Sequence, residues 1–544
     1  MIRIIILCLV TKVMIAQWSF DPLINTPIAI QPNDQIDLRM EKAENGGAFI
    51  VWKDYRNGEP DIFIQKIDSS GYVQWTVDGL GACTQSSDQS TPSIISDGSG
   101  GVIVAWSDWR SGIERDLYAQ RIDANGNLKW AQHGAEISIK IEREHSEKII
   151  SDDNGGVIIV WEQQRTSNFT WDIWAQRLDS NGMPVWPVGG IPICFEGSNR
   201  KNHKVQRDRK GGAFICWQDE RSGSHDIYAQ HLDKNGNLLW DPMGLLICDA
   251  PNSQTNPKID PDKSLNGIYI CWVDSRGSDY DIYANKVDSV GNVYWGPQGL
   301  PVIREIGNQS AVDILSNNKT DGLIICWKDR RNNNWDIYAQ RLNEDGLRQW
   351  DTSGVIICNL LGSQKNPNII SDTDGGGIIV WQDKRNNNWD IYSQRIRNNG
   401  DVAWADHGIP ICLADDDQKS PKNVGDGKGG TIVAWEDERN GNSGVDIYVD
   451  HLWIYDSTLS VGFNSYATEM QVRLYPNPVI DNIYLTNMHE FSLIEIRNIL
   501  GQKCEGYHYN KTHSFIDVKD FNSGIYFLDI FYHEKKKTLK FLKQ

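Results

Sequence analysis

Cysteine is scarce in this sequence, and its number is odd. The chain has 10 cysteines in 544 residues, and removal of an N-terminal leader containing Cys8 would leave nine. A small disulfide-stapled scaffold is excluded, because such scaffolds concentrate paired cysteines in a short chain. Cys216, Cys271 and Cys326 stand directly before a tryptophan where equivalent positions hold valine or alanine. We predict free cysteines at small core positions, with a disulfide such as Cys194 with Cys216 left open as an alternative.

Positive charge and long apolar runs are also in short supply. Lys and Arg number 54 against 72 Asp and Glu, which gives a formal net charge of −18. Such a surface repels the phosphate backbone, and this argues against nucleic-acid binding. Beyond the N-terminus no segment approaches the roughly 20 apolar residues that a membrane helix needs. We expect neutral, basic or cationic partners, no nucleic acid and no membrane span.

The first 16 residues have the composition of a secretory signal peptide. Arg3 provides a basic start, the apolar run IIILCLV follows, and the small residue Ala16 ends the segment. Lys12 interrupts the apolar region, but the order of features is that of a cleavable leader. We predict a signal peptide over residues 1–16 and a mature chain that begins at Gln17.

The sequence does contain one segment repeated eight times. The segment VWKDYRNGEPDIFIQKID around Trp52 recurs at steps of 54 to 56 residues. The first tryptophans of the copies are Trp52, Trp106, Trp161, Trp217, Trp272, Trp327, Trp381 and Trp435. A second tryptophan follows a turn in seven copies, at Trp75, Trp130, Trp186, Trp240, Trp295, Trp350 and Trp404. A repeat of this length is typical of a solenoid, a propeller or an array.

The two ends of the repeat region complement each other. Trp18 aligns with the second-tryptophan column, whereas the last copy stops at Leu452, before a second tryptophan of its own. An open solenoid needs polar caps and gains nothing from this offset. In a ring, an N-terminal strand that completes the last unit leaves no free edge. We therefore predict an all-β chain with an eight-bladed β-propeller over residues 17–455, in which Trp18 and Trp435 belong to the same sheet.

The copy at Trp381 contains four short apolar or alternating runs, which predicts a four-stranded antiparallel blade. The first turn is Gly-Gly in most copies, and the third is Asn-Gly or an equivalent. The middle hairpin carries W-x-D-x-R followed by D-I-Y, with Arg56 and Asp61 in the first copy. We expect the arginine to form two parallel hydrogen bonds to a carboxylate across the short turn. An active site needs one constellation and this motif occurs eight times, so we interpret it as scaffold. The D-x-N-G turns lack the later ligands of a calcium loop, and we predict no metal and no cofactor.

Candidate binding residues are those that break the repeat. Six copies carry glutamine at the start of the strand expected to line the central channel, and the third and fourth copies do not. There we predict a charged patch at one channel mouth, with drift in surface loops as the alternative. Its residues are Glu144, His145, Arg200, Lys201 and His203. The third copy also has Gln163 where the others have aspartate.

A second candidate is aromatic. Trp171, Trp335 and Trp389 stand directly before the aspartate of D-I-Y or its equivalent, and Trp174 lies close to the first of them. Exposed rings could stack on sugar faces, because they combine apolar area with polar edges. Packing between neighbouring blades is the alternative.

After residue 455 the repeat ends, and we assign residues 456–471 to a linker and residues 472–544 to a small β-sandwich. Four motifs occur there in order: Tyr475-Pro476-Asn477-Pro478, GQK at residues 501–503, GIYF including Gly524 and Tyr526, and the terminal KFLKQ. The segment resembles the type A C-terminal sorting domain of type IX secretion cargo from Bacteroidota. That resemblance implies Sec export to the periplasm, passage through the outer membrane by the type IX machinery, and a secreted or surface location.

The sequence favours a non-catalytic binding or adhesion module, with a glycan or protein as ligand. The alternative is a polysaccharide-acting propeller hydrolase or lyase. It would need a non-repeated cluster of acids and a base. No nucleophile elbow, metal-binding histidine pair or phosphate-cradling loop is present, so we assign no catalytic residue.

Overall fold

A computed structural model defines the fold of most of the chain. The residues it describes are 18–19, 21–138, 142–195, 197–264, 266–316, 319, 321–441, 444–453, 473–475, 482–486, 493–498, 502–505, 508–510, 515–532 and 535–543. The predicted signal peptide, the linker and the motif residues Pro476, Asn477 and Pro478 lie outside these ranges.

The repeat region is entirely β apart from one 3-10 turn, Glu44–Gly46, within its described residues. It forms antiparallel four-stranded sheets, eight in the described part of residues 26–452, and we number them 1 to 8 along the chain. The first strand in the chain is β1 (Thr26–Ala29). Sheets 1 and 2 contain β2 (Gln35–Lys42), β3 (Ala48–Asp54), β4 (Asp61–Ile67), β5 (Leu80–Cys83), β6 (Gln89–Ser96), β7 (Val102–Asp108), β8 (Asp116–Ile122) and β9 (Ala135–Ser138). Sheets 3 and 4 contain β10 (Glu144–Ser151), β11 (Val157–Gln164), β12 (Trp171–Leu178), β13 (Ile191–Cys194), β14 (Arg200–Arg207), β15 (Ala213–Asp219), β16 (Asp226–Leu232) and β17 (Leu245–Cys248). Sheets 5 and 6 contain β18 (Gln254–Pro261), β19 (Gly267–Asp274), β20 (Asp281–Asp288), β21 (Leu300–Ile303), β22 (Gln309–Ser316), β23 (Leu323–Asp329), β24 (Asp336–Leu342) and β25 (Val355–Cys358). Sheets 7 and 8 contain β26 (Gln364–Ser371), β27 (Gly377–Asn386), β28 (Asn388–Ile396), β29 (Ile409–Cys412), β30 (Gln418–Gly425), β31 (Thr431–Asp437) and β32 (Asp446–Leu452).

Sheet 8 takes its remaining strand from the N-terminus. Strand β1 pairs antiparallel with β32, with Thr26 opposite Val449. Trp435 lies in β31 of this sheet, whereas Trp18 precedes β1 and packs in a core cluster with residues of sheets 1 and 8. The indole Nε1 of Trp18 donates to the carbonyl of Ser69 on sheet 1 at 2.9 Å. The N-terminal residues therefore contact both the last and the first sheet of the repeat region.

The core lies within and between successive sheets. The second strand of each sheet is an apolar run, and its tryptophan is fully buried in all eight copies. Each apolar cluster of the repeat region combines residues of two consecutive sheets. One cluster contains Trp106 of sheet 2 together with Ile62 and Val51 of sheet 1. Burial of large indoles between sheets is the main favourable term for such a stack.

A glycine four positions after the second tryptophan is required by contact with the first tryptophan. Gly134 has φ +97, and a Cβ there would lie 2.7 Å from the ring of Trp106. Both the backbone conformation and the lack of space exclude other residues. The bend at this glycine therefore brings the backbone before the fourth strand against the buried indole.

The second tryptophans link neighbouring sheets. The Nε1 of Trp130 on sheet 2 donates to Ser180 O on sheet 3 at 3.1 Å, and that of Trp350 on sheet 6 donates to Asn398 O on sheet 7 at 3.1 Å. Trp18 makes the equivalent bond from sheet 8 to sheet 1. These side chains therefore act as clamps between successive repeats.

The described cysteines are free, and all except Cys504 are buried. Cys194 and Cys216 are both thiols, so the alternative disulfide between them is not formed. Burial raises the pKa of Cys83 and Cys358 to about 12, and the thiols remain protonated.

The C-terminal segment forms two sheets. Its strands are β33 (Arg473–Tyr475), β34 (Asn482–Thr486), β35 (Leu493–Asn498), β36 (His508–Asn510), β37 (Phe515–Asp517), β38 (Gly524–Tyr532) and β39 (Lys535–Lys543). The order is β33-β34-β37-β36 in one sheet and β35-β38-β39 in the other. Ile483 of the first sheet and Ile496, Leu528 and Phe541 of the second share one buried cluster, as in a small sandwich.

Candidate functional site

The repeated motif forms a constant hydrogen-bonded scaffold. In sheet 1, Asp54 accepts a hydrogen bond from Trp52 Nε1 at 2.7 Å and another from the Arg56 guanidinium at 2.5 Å. The guanidinium lies over the Phe63 ring at 4.0 Å. The same arginine–aspartate pair, at 2.5 to 2.6 Å, occurs in sheets 1, 2 and 4 to 8. The expected ion pair is thus present, but in these seven sheets its carboxylate stands two residues before the arginine and not across the turn.

Sheet 3 departs from this scaffold because Gln163 replaces the aspartate. Arg165 instead crosses the hairpin to Asp172, with Nε and NH2 at 2.5 and 2.7 Å from its two oxygens. The buried Nε1 of Trp161 has no hydrogen-bond partner among the described residues, whereas the equivalent nitrogen donates to aspartate in the other seven sheets. The replacement of aspartate by Gln163 therefore changes the partner of Arg165. It also leaves the buried indole N–H of Trp161 without the aspartate acceptor that the other sheets provide.

The neighbouring sheet reinforces the new arrangement. Arg200 occupies the first position of β14, where six copies have glutamine. Its NH1 donates to Asp172 at 2.9 Å and its Nε to Asp219 at 3.0 Å. Two arginines therefore donate to the two oxygens of Asp172.

A cavity of about 420 Å³ lies at this end of sheet 3. Gln163 and Asp172 are nine positions apart in this hairpin, as are Asp437 and Asp446 in sheet 8, against seven for Asp54 and Asp61. The cavity is lined by Glu142, Gln163, Arg165, Thr166, Ser167, Asp172, Trp174, Pro192 and Phe195. It combines two aromatic rings with hydroxyl, amide and charged groups, and Phe195 is 46% exposed. Such a lining suits a polar ligand with apolar faces.

The residues of the predicted charged patch have different environments. Glu144, Arg200 and His203 are buried, at 0, 1 and 1% exposure. Glu144 accepts Ser138 Oγ at 2.7 Å. Only His145 and Lys201 reach the surface in part. The ligand role of these five residues stays a prediction. Among the buried members, Arg200 and His203 join sheet 4 to sheet 3, and Glu144 joins sheet 3 to sheet 2.

The structure does bring His145, Lys201 and Trp171 together. The His145 ring lies 4.2 Å from the Trp171 ring in an edge contact, and Lys201 Nζ lies 5.8 Å from that ring. Burial lowers the pKa of His145 to about 4, with the nearby Glu162 opposing the shift. His145 is therefore neutral at physiological pH.

His203 and Glu162 form a buried pair beside this group. His203 Nδ1 lies 3.2 Å from Glu162 Oε1, and its Nε2 lies 3.0 Å from the carbonyl of Val160. Burial lowers the pKa of His203, although its bond to Glu162 opposes this. Burial opposes the charged form of Glu162 as well, but bonds from His203 and Asn202 hold its pKa below the ordinary value.

The three candidate sugar-stacking rings are covered to different degrees. Trp171 is only 7% exposed. Lys328 Nζ lies 4.5 Å from the Trp335 ring, and Lys365 Nζ lies 5.4 Å from the Trp389 ring. These cation–π contacts occupy faces that a sugar would use. Sugar stacking at these rings stays a prediction.

Sequence reasoning noted Gln163 and Trp174 but did not place the cavity. Glu142, Asp172 and Phe195 line it as well. The usable signal was the coincidence of two changes in one copy, Gln163 for aspartate and Trp174 for the usual tyrosine.

Three of the six predicted sorting residues, Tyr475, Gly524 and Tyr526, lie in strands of the tail. Gly524 begins β38 opposite Lys543. The hydroxyl of Tyr526 donates to Asn522 O at 2.8 Å, and its ring stacks on Phe541 at 5.4 Å. Tyr475 ends β33. Tyr526 thus belongs to the packing of the second tail sheet.

A family model described as a secretion system C-terminal sorting domain matches residues 473–544. The tail belongs to that family, and the chain is a type IX secretion cargo protein. The sorting domain implies interaction with the type IX machinery and a secreted or surface destination. No helix of the described residues is long and apolar enough to cross a membrane.

Other comparisons are distant. No curated protein sequence matches the chain significantly. A protein of unknown function from Dyadobacter fermentans is 10% identical over 66% of this chain and 93% of that one, with a TM-score of 0.35. An α-L-arabinanase of Penicillium chrysogenum, complexed with arabinobiose, is 12% identical over 79% of this chain and 97% of that one, with a TM-score of 0.32. An endo-arabinase from Bacteroides thetaiotaomicron is 12% identical over 51% of this chain and 99% of that one, with a TM-score of 0.27. At this similarity the three structures carry no argument about activity.

Proposed function

We propose that the eight repeat sheets are the blades of a closed β-propeller. Contacts between the ends of the repeat region support closure. Gln35 N donates to Val445 O at 2.6 Å, and Asp37 N donates to Glu436 Oε1 at 2.8 Å, both joining sheet 1 to sheet 8. Trp18 adds its clamp to sheet 1. A ring leaves no free edge between first and last sheet, which favours a stable soluble module.

The proposed route of export begins with the leader. Removal of residues 1–16 after Sec export would leave Gln17 directly before the buried Trp18. The sorting domain would then direct the folded module through the outer membrane, for release or attachment at the cell surface of a member of the Bacteroidota. Detection of a mature N-terminus other than Gln17 on the exported protein would contradict this order of events.

The mature propeller is proposed to bind a neutral glycan in the cavity of sheet 3. The observation that carries this proposal is the cavity itself, which lies where the repeat scaffold is broken by Gln163. Trp174 and Phe195 offer ring surface to the apolar face of a sugar, and Thr166, Ser167 and Gln163 offer hydrogen bonds to its hydroxyl groups. Asp172 adds an acceptor fixed by two arginines.

A hydrolase or lyase acting on polysaccharide remains the competing proposal. The cavity has two carboxylates, Glu142 and Asp172. A general acid has to release a proton to the leaving group. Asp172 is ill suited to this, because both of its oxygens already accept hydrogen bonds from Arg165 and one of them also accepts from Arg200. This is why we favour binding without chemistry.

The deciding experiment combines binding and turnover on the same ligands. Full-length protein would be tested against neutral polysaccharides by pull-down and by release of reducing ends. We expect retention without release, and Phe195→Ala should weaken retention by about tenfold, as for loss of one stacking ring. Asn359→Ala is the matched control, because Asn359 is exposed at the same position of sheet 6. Release of reducing ends would establish the hydrolase, and equal retention by both variants would refute the cavity as the site.

A further inference from the structure

A second feature is the fifth residue of the first strand in each sheet. Its interpretation rests on the closed propeller proposed above. In every sheet this residue is paired with the residue directly before the first tryptophan, as Arg39 is with Val51 and Lys148 with Val160. All eight therefore stand at one height. First strands of consecutive sheets contact each other, and β30 contacts β2. We call this set the inner tier: Arg39, Ser93, Lys148, Lys204, Lys258, Asp313, Asn368 and Lys422.

The inner tier is strongly cationic in a chain whose net charge is −18. It holds four lysines and one arginine against a single carboxylate, Asp313. That carboxylate is occupied, since Lys258 Nζ lies 3.0 Å from Oδ1 and Ile369 N donates to Oδ2 at 3.1 Å. Four cations of the tier therefore have no carboxylate at their own height.

Three of these four cations donate to backbone carbonyls. Lys148 Nζ donates to Glu147 O at 3.0 Å, and Lys204 Nζ donates to His203 O at 3.1 Å. Arg39 NH1 donates to Leu38 O at 2.8 Å. Lys422 Nζ makes no hydrogen bond or ion pair with any residue of the described ranges. An ammonium has three donors, so each lysine retains capacity for a further acceptor.

The cations act on one another across the interior. Burial lowers the pKa of Lys422 to about 8, and Arg39 and Lys258 add to this effect. Burial likewise lowers the pKa of Lys204 to about 8, with contributions from Lys258 and Lys148. In the proposed ring, Lys258 on sheet 5 and Lys422 on sheet 8 occupy the same position of their first strands on different walls. The charges are close enough to repel and are incompletely compensated.

Acidic groups flank the tier but do not fill it. Asp37 Oδ1 is 3.6 Å from the arginine of the tier. Glu162 and Glu436 each accept a backbone amide of a neighbouring first strand, at 2.7 and 2.8 Å. Glu41 and Asp260 stand two positions after Arg39 and Lys258 on the same strands. Burial raises the pKa of Glu41 to about 7 and that of Asp260 to about 6. At neutral pH the acids beyond the tier carry reduced negative charge.

We propose that the inner tier binds a multivalent oxyanion, with Arg39, Lys148, Lys204 and Lys422 as its donors. Inorganic sulfate and phosphate have this chemistry, and so has a sulfate or phosphate ester on a glycan. Such an anion would accept charge-assisted hydrogen bonds from several walls at once and would relieve the repulsion among the cations. This site is separate from the cavity of sheet 3.

Titration of the full-length protein with sodium sulfate and sodium phosphate, at constant ionic strength against chloride, tests the proposal. We expect saturable binding by calorimetry and a rise in the melting temperature that chloride does not produce. Lys204→Met with Lys422→Met should weaken binding by about tenfold or more, because two charged donors are lost. The double variant should also melt higher than the parent without anion, since repulsion is relieved.

Two further variants keep the test decisive. Lys129→Met with Lys263→Met removes two exposed lysines outside the tier and should bind like the parent. Asp313→Asn removes the carboxylate of the tier and should tighten binding severalfold, so loss of folding in one variant does not decide the outcome. Equal affinity in the parent and the tier double variant, or no saturable binding by the parent, would overturn the proposal.

Competition then identifies the source of the anion. A sulfated polysaccharide that displaces sulfate from the parent would indicate an anionic glycan as the ligand, and failure to displace it would indicate a free ion. The glycan-cavity variant Phe195→Ala should keep the anion effect, which separates failure of this proposal from failure of the cavity proposal.

Discussion

Replacing Asp450 by asparagine should flatten the pH dependence of stability in the sheet that joins the two ends of the repeat region. Seven sheets carry glutamine or asparagine at this position; in sheet 7, Gln394 accepts Trp404 N at 3.0 Å and donates to Ala405 O at 2.7 Å. Sheet 8 alone has a carboxyl group. Asp450 is 6% exposed and accepts His451 N at 2.7 Å and Asn25 Nδ2 at 3.0 Å.

The magnitude follows from the protonation of this carboxyl group. Burial raises the pKa of Asp450 to about 8 from an ordinary value of 3.8, with the bonds from His451 and Asn25 opposing the shift. Between these two values the folded chain binds a proton that the unfolded chain has lost, so stability falls as the pH rises. Each pH unit in this window costs about 1.4 kcal/mol, and at pH 7 the loss relative to pH 4 reaches about 4 kcal/mol. Above pH 8 the loss is complete.

The assay is denaturant unfolding of the parent and Asp450→Asn at pH 5, 6, 7 and 8, followed by tryptophan fluorescence. The free energy of unfolding of the variant, minus that of the parent, should rise by about 1.4 kcal/mol per pH unit. At pH 5 the variant should be slightly less stable, because its amide cannot accept from both donors. Gln394→Glu is the matched control and should acquire the pH dependence that Asp450→Asn loses. Parallel curves for parent and variant would refute the reasoning.

Three other predictions concern single positions of the scaffold. Gln163→Asp should restore the acceptor for the buried indole of sheet 3 and raise the unfolding free energy by about 1–2 kcal/mol in thermal melts, while weakening glycan retention; a destabilised variant would contradict this. Gly354→Ala should cost about 2–4 kcal/mol because φ is +84 and the new Cβ would lie 2.9 Å from a buried tryptophan ring. Gly58→Ala, at φ +96 but with open space around it, should lose only the backbone part, about 1–2 kcal/mol, and equal losses would show that ring contact is irrelevant. Trp350→Phe removes the indole bond to the next sheet and should lower stability by about 1 kcal/mol or more, to be measured by the same melts; an unchanged melting temperature would argue against the clamp.

Much of the local structure was predictable because each repeat carries its own turn and strand signals. Gly-Gly and Asn-Gly turns between apolar runs are determined by backbone conformation over a few residues. Gly-Gly occurs at the first turn of six copies, and the same turn position carries Asn-Gly or Asp-Gly in the other two. The sorting tail was equally accessible, since its motifs are contiguous and the matched family covers residues 473–544.

The candidate site was harder to predict, because it depends on partners that spacing alone does not assign. Arg56 could have bonded Asp54 or Asp61, and the structure selects the first. In sheet 3 the same arginine position selects the second, since Gln163 carries no charge. The substitution was visible in the sequence, but the cavity beside it is lined by Thr166 and Ser167 of the hairpin and by Phe195, which follows β13.

The charged residues of the third and fourth copies show the same limit. Glu144 and Arg200 interrupt the glutamine column, which correctly marks them as exceptions. Only the packing of adjacent sheets decides that both are buried, with Arg200 held between Asp172 and Asp219. Exposure is a property of the assembled sheets, so a residue pattern within one strand does not determine it.

By itself the sequence determined the eightfold repeat, the all-β content of its copies and the sorting tail, because these depend on residues close together in the chain. Tertiary structure alone decided the partners of Asp172, the contact of Trp18 with sheet 1 and the ion pair of Lys258 with Asp313. These contacts join residues separated by one or more repeats, and they exist only when the register of every sheet and the packing between sheets are set. The repeat specifies the unit, whereas the arrangement of units brings its exceptions together.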